Sequence, residues 1–298
     1  MTHETQFLDL PDQRIAYYDL IPRPVETAPP SGGSAGHASE AVPLVLLHGG
    51  VVDKRMWHPQ LKAFPDRRVI VPDARGHGES SDAEAPYRLA DDVVALLDAL
   101  EIDRAVLIGL SMGGSTAVDV ALEHPGRAAA LVASGTGTSE PEFTDPWTLQ
   151  VLADWQRAQE AGDLEEWLGV TERFVAGPAR SIDEVDPAVR ELCARMARET
   201  VTDHLRVGED GVPIPPQPPT PVTRTWERLE QVTVPVLALC GALDSEDHRA
   251  LGRRLAETVA DGSYREVAGA AHYPNLENPE DFNDALQRFL HGEDRSAG

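Results

Sequence analysis

Residues 104–114 read Arg-Ala-Val-Leu-Ile-Gly-Leu-Ser-Met-Gly-Gly: an apolar run, then Gly109-x-Ser111-x-Gly113, then the opening of a helical pattern. A serine hydroxyl is a poor nucleophile unless a sharp strand-to-helix turn exposes it to a base and sets it beside backbone N–H donors. Here Ala105–Ile108 supply the strand and Ser111 stands at its end. Gly109 and Gly113 flank the serine where such a turn leaves no room for a Cβ. The five-residue motif alone is weak, and its strand-turn-helix context is what makes acyl transfer the chemistry to test.

On such an elbow the partners follow in the order serine, acid, histidine along the chain. Ten histidines are present, of which His248, His272 and His291 lie well downstream. His248 falls inside a helical pattern four residues after the best acid, and His291 closes the last helix, where a cation complements the helix dipole. His272 instead follows a short strand, Ser263–Val267, through the small-residue loop Ala268–Ala271, which makes it the expected base. The acid must project from a fixed strand end. Val234–Cys240 reads as a buried strand and leads through Gly241-Ala-Leu to Asp244, the expected orienting carboxylate, with Glu246 or Asp247 as substitutes and a helix N-cap as its other reading. A second strand, Val42–Leu47, runs into His48-Gly49-Gly50-Val51. The N–H groups of Gly50 and Met112 are therefore the expected oxyanion donors, with Val51 in reserve. His48 precedes the serine and is read as a loop-holding hydrogen-bonding group.

The elements that must position these residues can be read around them. Gln6–Asp9 and Arg14–Asp19 flank Pro11-Asp12-Gln13 as an edge hairpin. Residues 22–41 are rich in Pro, Gly, Ser and Ala and are expected to form a mobile surface loop without chemistry. From Val42 to about Ser134 parallel strands and helices alternate, Leu89–Leu100 being one helix. Between about Gly135 and Thr233 that alternation gives way to helical periodicity. Trp147, Val151, Leu152 and Trp155 share one face; Leu164, Trp167, Leu168, Phe174 and Val175 share a second; Val189, Leu192, Cys193 and Met196 share a third. Trp147 and Trp155 are the expected substrate contacts of this helical insertion. The proline-rich Val212–Thr223 serves as its extended return, and Arg224 just beyond is read as a solvated side chain. The last helix has Asn278 as N-cap, Pro279 at its first position and Gly292 after it.

Composition bounds the reading. The 298 residues, 41% of them hydrophobic, suffice for one core domain plus an insertion, and the net charge of −24 disfavours nucleic acid and anionic membranes as partners. Cys193 and Cys240 are too few for a disulfide framework. Met1–Leu10 holds no signal-like apolar run, and the longest apolar stretch, Val42–Val52, is too short to span a bilayer. A cytoplasmic protein without cofactor or metal is expected, since neither a metal-spaced His/Cys cluster nor a dinucleotide fingerprint is legible. A small-molecule substrate is the expected partner, and homo-oligomerisation is left open.

Taken together, Leu46-Leu-His-Gly-Gly50, Asp73-Ala-Arg-Gly-His-Gly-Glu-Ser80, Gly109-Leu-Ser-Met-Gly-Gly114, Val234–Asp244 and Gly269-Ala-Ala-His-Tyr-Pro-Asn-Leu-Glu-Asn-Pro279 resemble, in this order, the α/β-hydrolase fold family with an inserted helical cap. The resemblance spans residues 42–290. It implies a mostly parallel sheet flanked by helices, a core of residues 1–134 and 234–298, and a cap of residues 135–233. It also implies a structural role for Asp73 and Arg75. Relatives that open epoxides or remove halide carry Asp at the position of Ser111, so the resemblance points to a serine hydrolase of a small or medium ester, lactone or thioester. The same triad also serves carbon–carbon bond hydrolases and cofactor-free perhydrolases or oxygenases, and a small-ligand-binding protein that retains it is the reading from another class.

Overall fold

A computed structural model describes residues 3–22, 41–208, 213–214 and 216–293. The expected loop at 22–41 falls almost wholly outside the described residues. The chain opens with strands β1 (Gln6–Leu10) and β2 (Gln13–Leu20), paired antiparallel with Leu10 opposite Gln13, so Pro11-Asp12 form the turn. Strands β3 (Leu44–Leu47), β4 (Val69–Pro72), β5 (Ala105–Leu110) and β6 (Ala128–Ser134) follow, with helices α1 (Leu89–Ala99) and α2 (Met112–Glu123) between the later strands. Helices α3 (Pro146–Ala161), α4 (Leu164–Ala176) and α5 (Pro187–Asp203) then form the insertion. A two-residue pair, β7 (Arg206–Val207) with β8 (Pro213–Ile214), and a short helix α6 (Thr225–Arg228) lead back to the core. The core is completed by β9 (Val236–Gly241), α7 (Glu246–Thr258), β10 (Gly262–Val267), α8 (Pro274–Glu277) and α9 (Pro279–Leu290).

Eight strands make one sheet in the order β1-β2-β4-β3-β5-β6-β9-β10, antiparallel at the β1-β2-β4 side and parallel from β4 to β10. Both faces of the central strands are buried, which is why they read as unbroken apolar runs. Their side chains divide by parity. Val106, Ile108 and Leu110 join Trp57, Phe282 and Phe289 on one face, whereas Ala105 and Leu107 join Leu96, Leu97, Val118 and Leu255 on the other. Trp57 is wholly buried against Phe282, a core aromatic.

Asp73, just beyond β4, is buried and accepts hydrogen bonds from the Lys54 and Glu79 N–H groups and from Lys54 Nζ at 2.6 Å. Arg75 bonds Asp92 and Asp12. Both therefore brace the loops behind the sheet edge, in the structural role expected of them. Cys193 and Cys240 are buried free thiols. Among the described residues, no helix is long and apolar enough to cross a membrane.

Candidate active site

Parallel strands deliver their C-terminal ends to one edge, and the register places those of β5, β6 and β9 side by side: Leu110 pairs with Ser134, and Ser134 with Leu239. Ser111 follows β5 at that edge, with φ 52° and ψ −113°, a left-handed conformation rarely adopted by a residue with a Cβ. Two bonds over-determine it: Ser111 N–H donates to Ser134 O at 2.8 Å, and Ser115 N–H donates to Ser111 O at 3.0 Å. The turn is tight enough that a Cβ on Gly109 would stand 2.1 Å from Gly113 O, and one on Gly113 would stand 2.1 Å from Leu47 O. Such an outlier, held by its surroundings, is where strain marks function.

Asp244 leaves β9 through Gly241-Ala-Leu, and its Oδ2 lies 2.9 Å from His272 Nδ1, both side chains being buried. His272 comes from the loop after β10, anchored where Ala271 N–H donates to Glu277. Among the described residues its buried Nε2 has no hydrogen-bond partner, Ser111 Oγ included, which leaves it available to take a proton. The N-cap of α7 is Ser245, not Asp244, which leaves the carboxylate to the imidazole.

Behind the expected oxyanion donors, His48 Nδ1 meets Gly49 O at 2.7 Å while its Nε2 accepts from Ala74 N–H at 2.8 Å. Burial, with His77 adding to it, lowers His48 to about 3, so it serves this loop as a neutral ring. His77 Nε2 meets Gly50 O at 2.8 Å and so holds the next peptide of the loop. A Cβ built on Gly50 would lie 3.8 Å from Met112 Cβ, and neither the Gly50 nor the Met112 N–H has an acceptor among the described residues. Both residues border the cavities at Ser111, with these backbone donors unused.

The residue that sequence reasoning set aside is His248. Its Nδ1 lies 3.1 Å from Asp244 Oδ1, so one buried carboxylate holds two imidazoles whose ring centroids are 4.6 Å apart. Burial works to raise the Asp244 carboxyl, but His248 and His272 outweigh it and hold the group well below the carboxylate range. The two rings diverge. Burial lowers His272, with only Asp244 opposing it, whereas for His248 the burial penalty is overcome by Asp244, Asp247 and Asp145 together, and its pKa rises. The surroundings therefore push His272 toward its neutral form and His248 toward its charged one. A signal existed in the short Asp-x-x-x-His spacing, since the first turn of α7, capped by Ser245, carries His248 back toward the acid just before it. The three groups also offer ligand atoms within 4.8 Å of one another, as a metal would need. However, the hydrogen bonds that join them already use both Nδ1 atoms and both carboxylate oxygens.

Helices α3 and α4 contribute side chains at this edge. A cavity of about 220 Å³ opens at Ser111, lined by Gly50, Val51, Trp155, Phe174, His248 and Tyr273 among others. The Phe174 ring lies tilted against His272, centroids 4.3 Å apart, and Trp155 is tilted against Phe174 at 4.9 Å. Of the two expected substrate contacts, Trp155 thus reaches the cavity. Trp147 does not: it lies parallel to Phe174 at 6.3 Å and buttresses it from outside. Helical periodicity alone cannot distinguish the two, because both sit on the apolar face. Trp226 packs on the core, its Nε1 donating to Glu140 O, and Arg224 pairs with Glu227 in solvent. A second cavity of about 340 Å³ meets the first at Ser111, Phe143 and His248.

A strained serine at a strand end, with a buried Asp–His pair on the same sheet edge, is the arrangement of proteins with a nucleophile elbow on a parallel sheet. The family model described as "Alpha/beta hydrolase family" matches residues 44–285, and the chain belongs to that family. It is 31% identical over 239 residues to 3-oxoadipate enol-lactonase 2 of Acinetobacter baylyi, covering 79% of this chain and 83% of that one. It is 26% identical to carboxylesterase YbfK of Bacillus subtilis, over 87% of this chain and 83% of that one. The solved structure of an N-acyl homoserine lactone degrading enzyme is 27% identical, with a TM-score of 0.69, covering 95% of this chain and 100% of that one.

Proposed function

We propose that the chain is a serine hydrolase of a small or medium carboxylic ester, lactone or thioester. The observation that carries this is the strained Ser111 at the end of β5, set on the same sheet edge as a buried His272–Asp244 pair 2.9 Å apart. Ser111 Oγ attacks the carbonyl carbon as His272 Nε2 takes its proton; Asp244 steadies the imidazolium, and the Gly50 and Met112 N–H groups receive the negative oxygen. The tetrahedral species collapses to an acyl-serine as His272 returns the proton to the leaving group. Water, deprotonated by the same ring, then releases the acid and regenerates Ser111. The aromatic cavity under Trp155 and Phe174 suits an apolar arm of the substrate. Relatives named as a lactonase and a carboxylesterase support the reading.

The test is turnover of p-nitrophenyl esters of increasing acyl length by the wild type and Ser111→Ala in parallel. Turnover that is lost by about three orders of magnitude or more in the variant is the expected result. A variant that keeps near-full turnover would sink the proposal.

A further inference from the structure

The second cavity is walled largely by other elements than the aromatic one. Hydroxyl-bearing residues such as Ser115, Thr116, Thr138 and Ser139 line it, together with one carboxylate, Asp119. Asp119 lies eight residues beyond Ser111 on α2, about 12 Å along the helix axis. The residue is only 8% exposed. Its Oδ1 accepts from Ser139 Oγ at 2.8 Å, while Oδ2 accepts no hydrogen bond among the described residues and is not among the sealed polar atoms.

No cation among the described residues pairs with Asp119. Arg88, which also lines the cavity, is engaged by Glu123 at 3.0 Å, and Arg228 by the same carboxylate at 2.7 Å. Burial pushes the Asp119 carboxyl up to about 7; Ser139 and Arg88 work against this, and the nearby Glu123 and Glu140 add to it. A buried carboxylate without a counter-ion is destabilising, and buried charges are as a rule paired. Here the missing partner has an open cavity to arrive through, and that cavity reaches the nucleophile.

We propose that Asp119 recognises an ammonium group on the substrate. The substrate class is then an amino ester or amino lactone: one arm apolar, under Trp155 and Phe174, and the other a chain ending in a protonated amine about two helical turns from the scissile carbonyl. This rests on the reading of Ser111 as the nucleophile. The net charge of −24 favours the approach of such a cation.

Two matched substrate pairs test it: aminohexyl butanoate against hexyl butanoate, and butyl aminohexanoate against butyl hexanoate. Each is assayed with the wild type and Asp119→Asn, and the quantity read is the ratio of kcat/KM within a pair, so that any change in overall activity cancels. The wild type is expected to favour the amine member of one pair by about tenfold or more, and Asp119→Asn to abolish that ratio. The pair that responds tells whether the chamber holds the alcohol or the acyl arm. A ratio near one in both pairs for the wild type, or a preference that survives in Asp119→Asn, overturns the proposal. Calorimetry of aminohexanol against hexanol on Ser111→Ala reads the chamber without turnover. Tighter binding of the amine that vanishes when Asp119→Asn is added supports the site even if the hydrolase reading fails, whereas equal binding of the two alcohols overturns it.

Discussion

The sheet edge and the cap build the two halves of the site by different physics. At the edge, backbone meets backbone: Gly109, Gly113 and Leu47 approach so closely that no side chain fits between them, and Ser111 is held in a conformation it would not choose. In the cap, the cluster nearest the site has Val151, Val170 and Phe174 at its centre, with Trp147 and Trp155 packed against it. Backbone registers tolerate shifts of tenths of an ångström, whereas apolar side chains of similar volume can replace one another at modest cost. The chemistry should therefore be brittle and the substrate range plastic.

The largest effects should come from the edge. Asp244→Asn and His272→Gln are each expected to lower kcat by about three to four orders of magnitude, and neither should add its full cost to Ser111→Ala, since the three act as a unit. Single-turnover kinetics on the doubles would show additive losses if they act separately. Glycine substitution sharpens the contrast between the regions. Gly113→Ala forces a Cβ to 2.1 Å from Leu47 O and should prevent a folded, active product, whereas a Cβ on Gly169 in α4 meets nothing. Gly169→Ala should leave activity intact and add about 0.5–1 kcal/mol through helix propensity. Thermal melts of the two proteins would refute the contrast by falling equally.

A smaller effect tests the second imidazole. Because a charge on His248 lowers His272, His248→Asn should raise the pKa of His272. The rising limb of kcat/KM with pH, which reports loss of the His272 proton, should then move to higher pH. A limb that stays in place would make His248 a packing residue only. The smallest change belongs to the cap: Trp155→Leu should alter the acyl-length profile by a few-fold in KM with kcat nearly kept, and Trp147→Leu by less. An equal response from both would place Trp147 in the cavity after all.

What the sequence disclosed follows the same division. Ser111, Asp244 and His272 were legible because each follows an apolar run through small residues, and parallel strands bring such ends to one edge whatever lies between them. The three cap helices were legible from periodicity, but not which tryptophan faces the cavity, because that depends on how α3 rotates against α4. His248 was hidden by its helical context, although the first turn of that helix is what returns it to the acid that precedes the cap. Asp119 gave no signal at all: an acid in a helix is ordinarily a solvated one, and only the tertiary fold, which sets Ser139 on it and a cavity before it, makes it an inner wall. The β7–β8 pair was likewise too short to read.

That return segment bears on how this protein could diverge. The chain leaves the sheet after β6 and must come back to begin β9, its hydrogen-bonded neighbour, so the whole excursion is one continuous stretch of gene. Pro219–Val222, pinned where Thr220 N–H donates to Tyr87 O at 2.6 Å, travel with it and wall the second chamber, as Trp155 and Phe174 wall the first. A recombination event exchanging this stretch would replace both walls at once yet leave Asp119 behind, since α2 is encoded upstream. Offspring of such an exchange would inherit an old anionic anchor under a new roof, and their substrates would be expected to keep an ammonium group while changing everything around it.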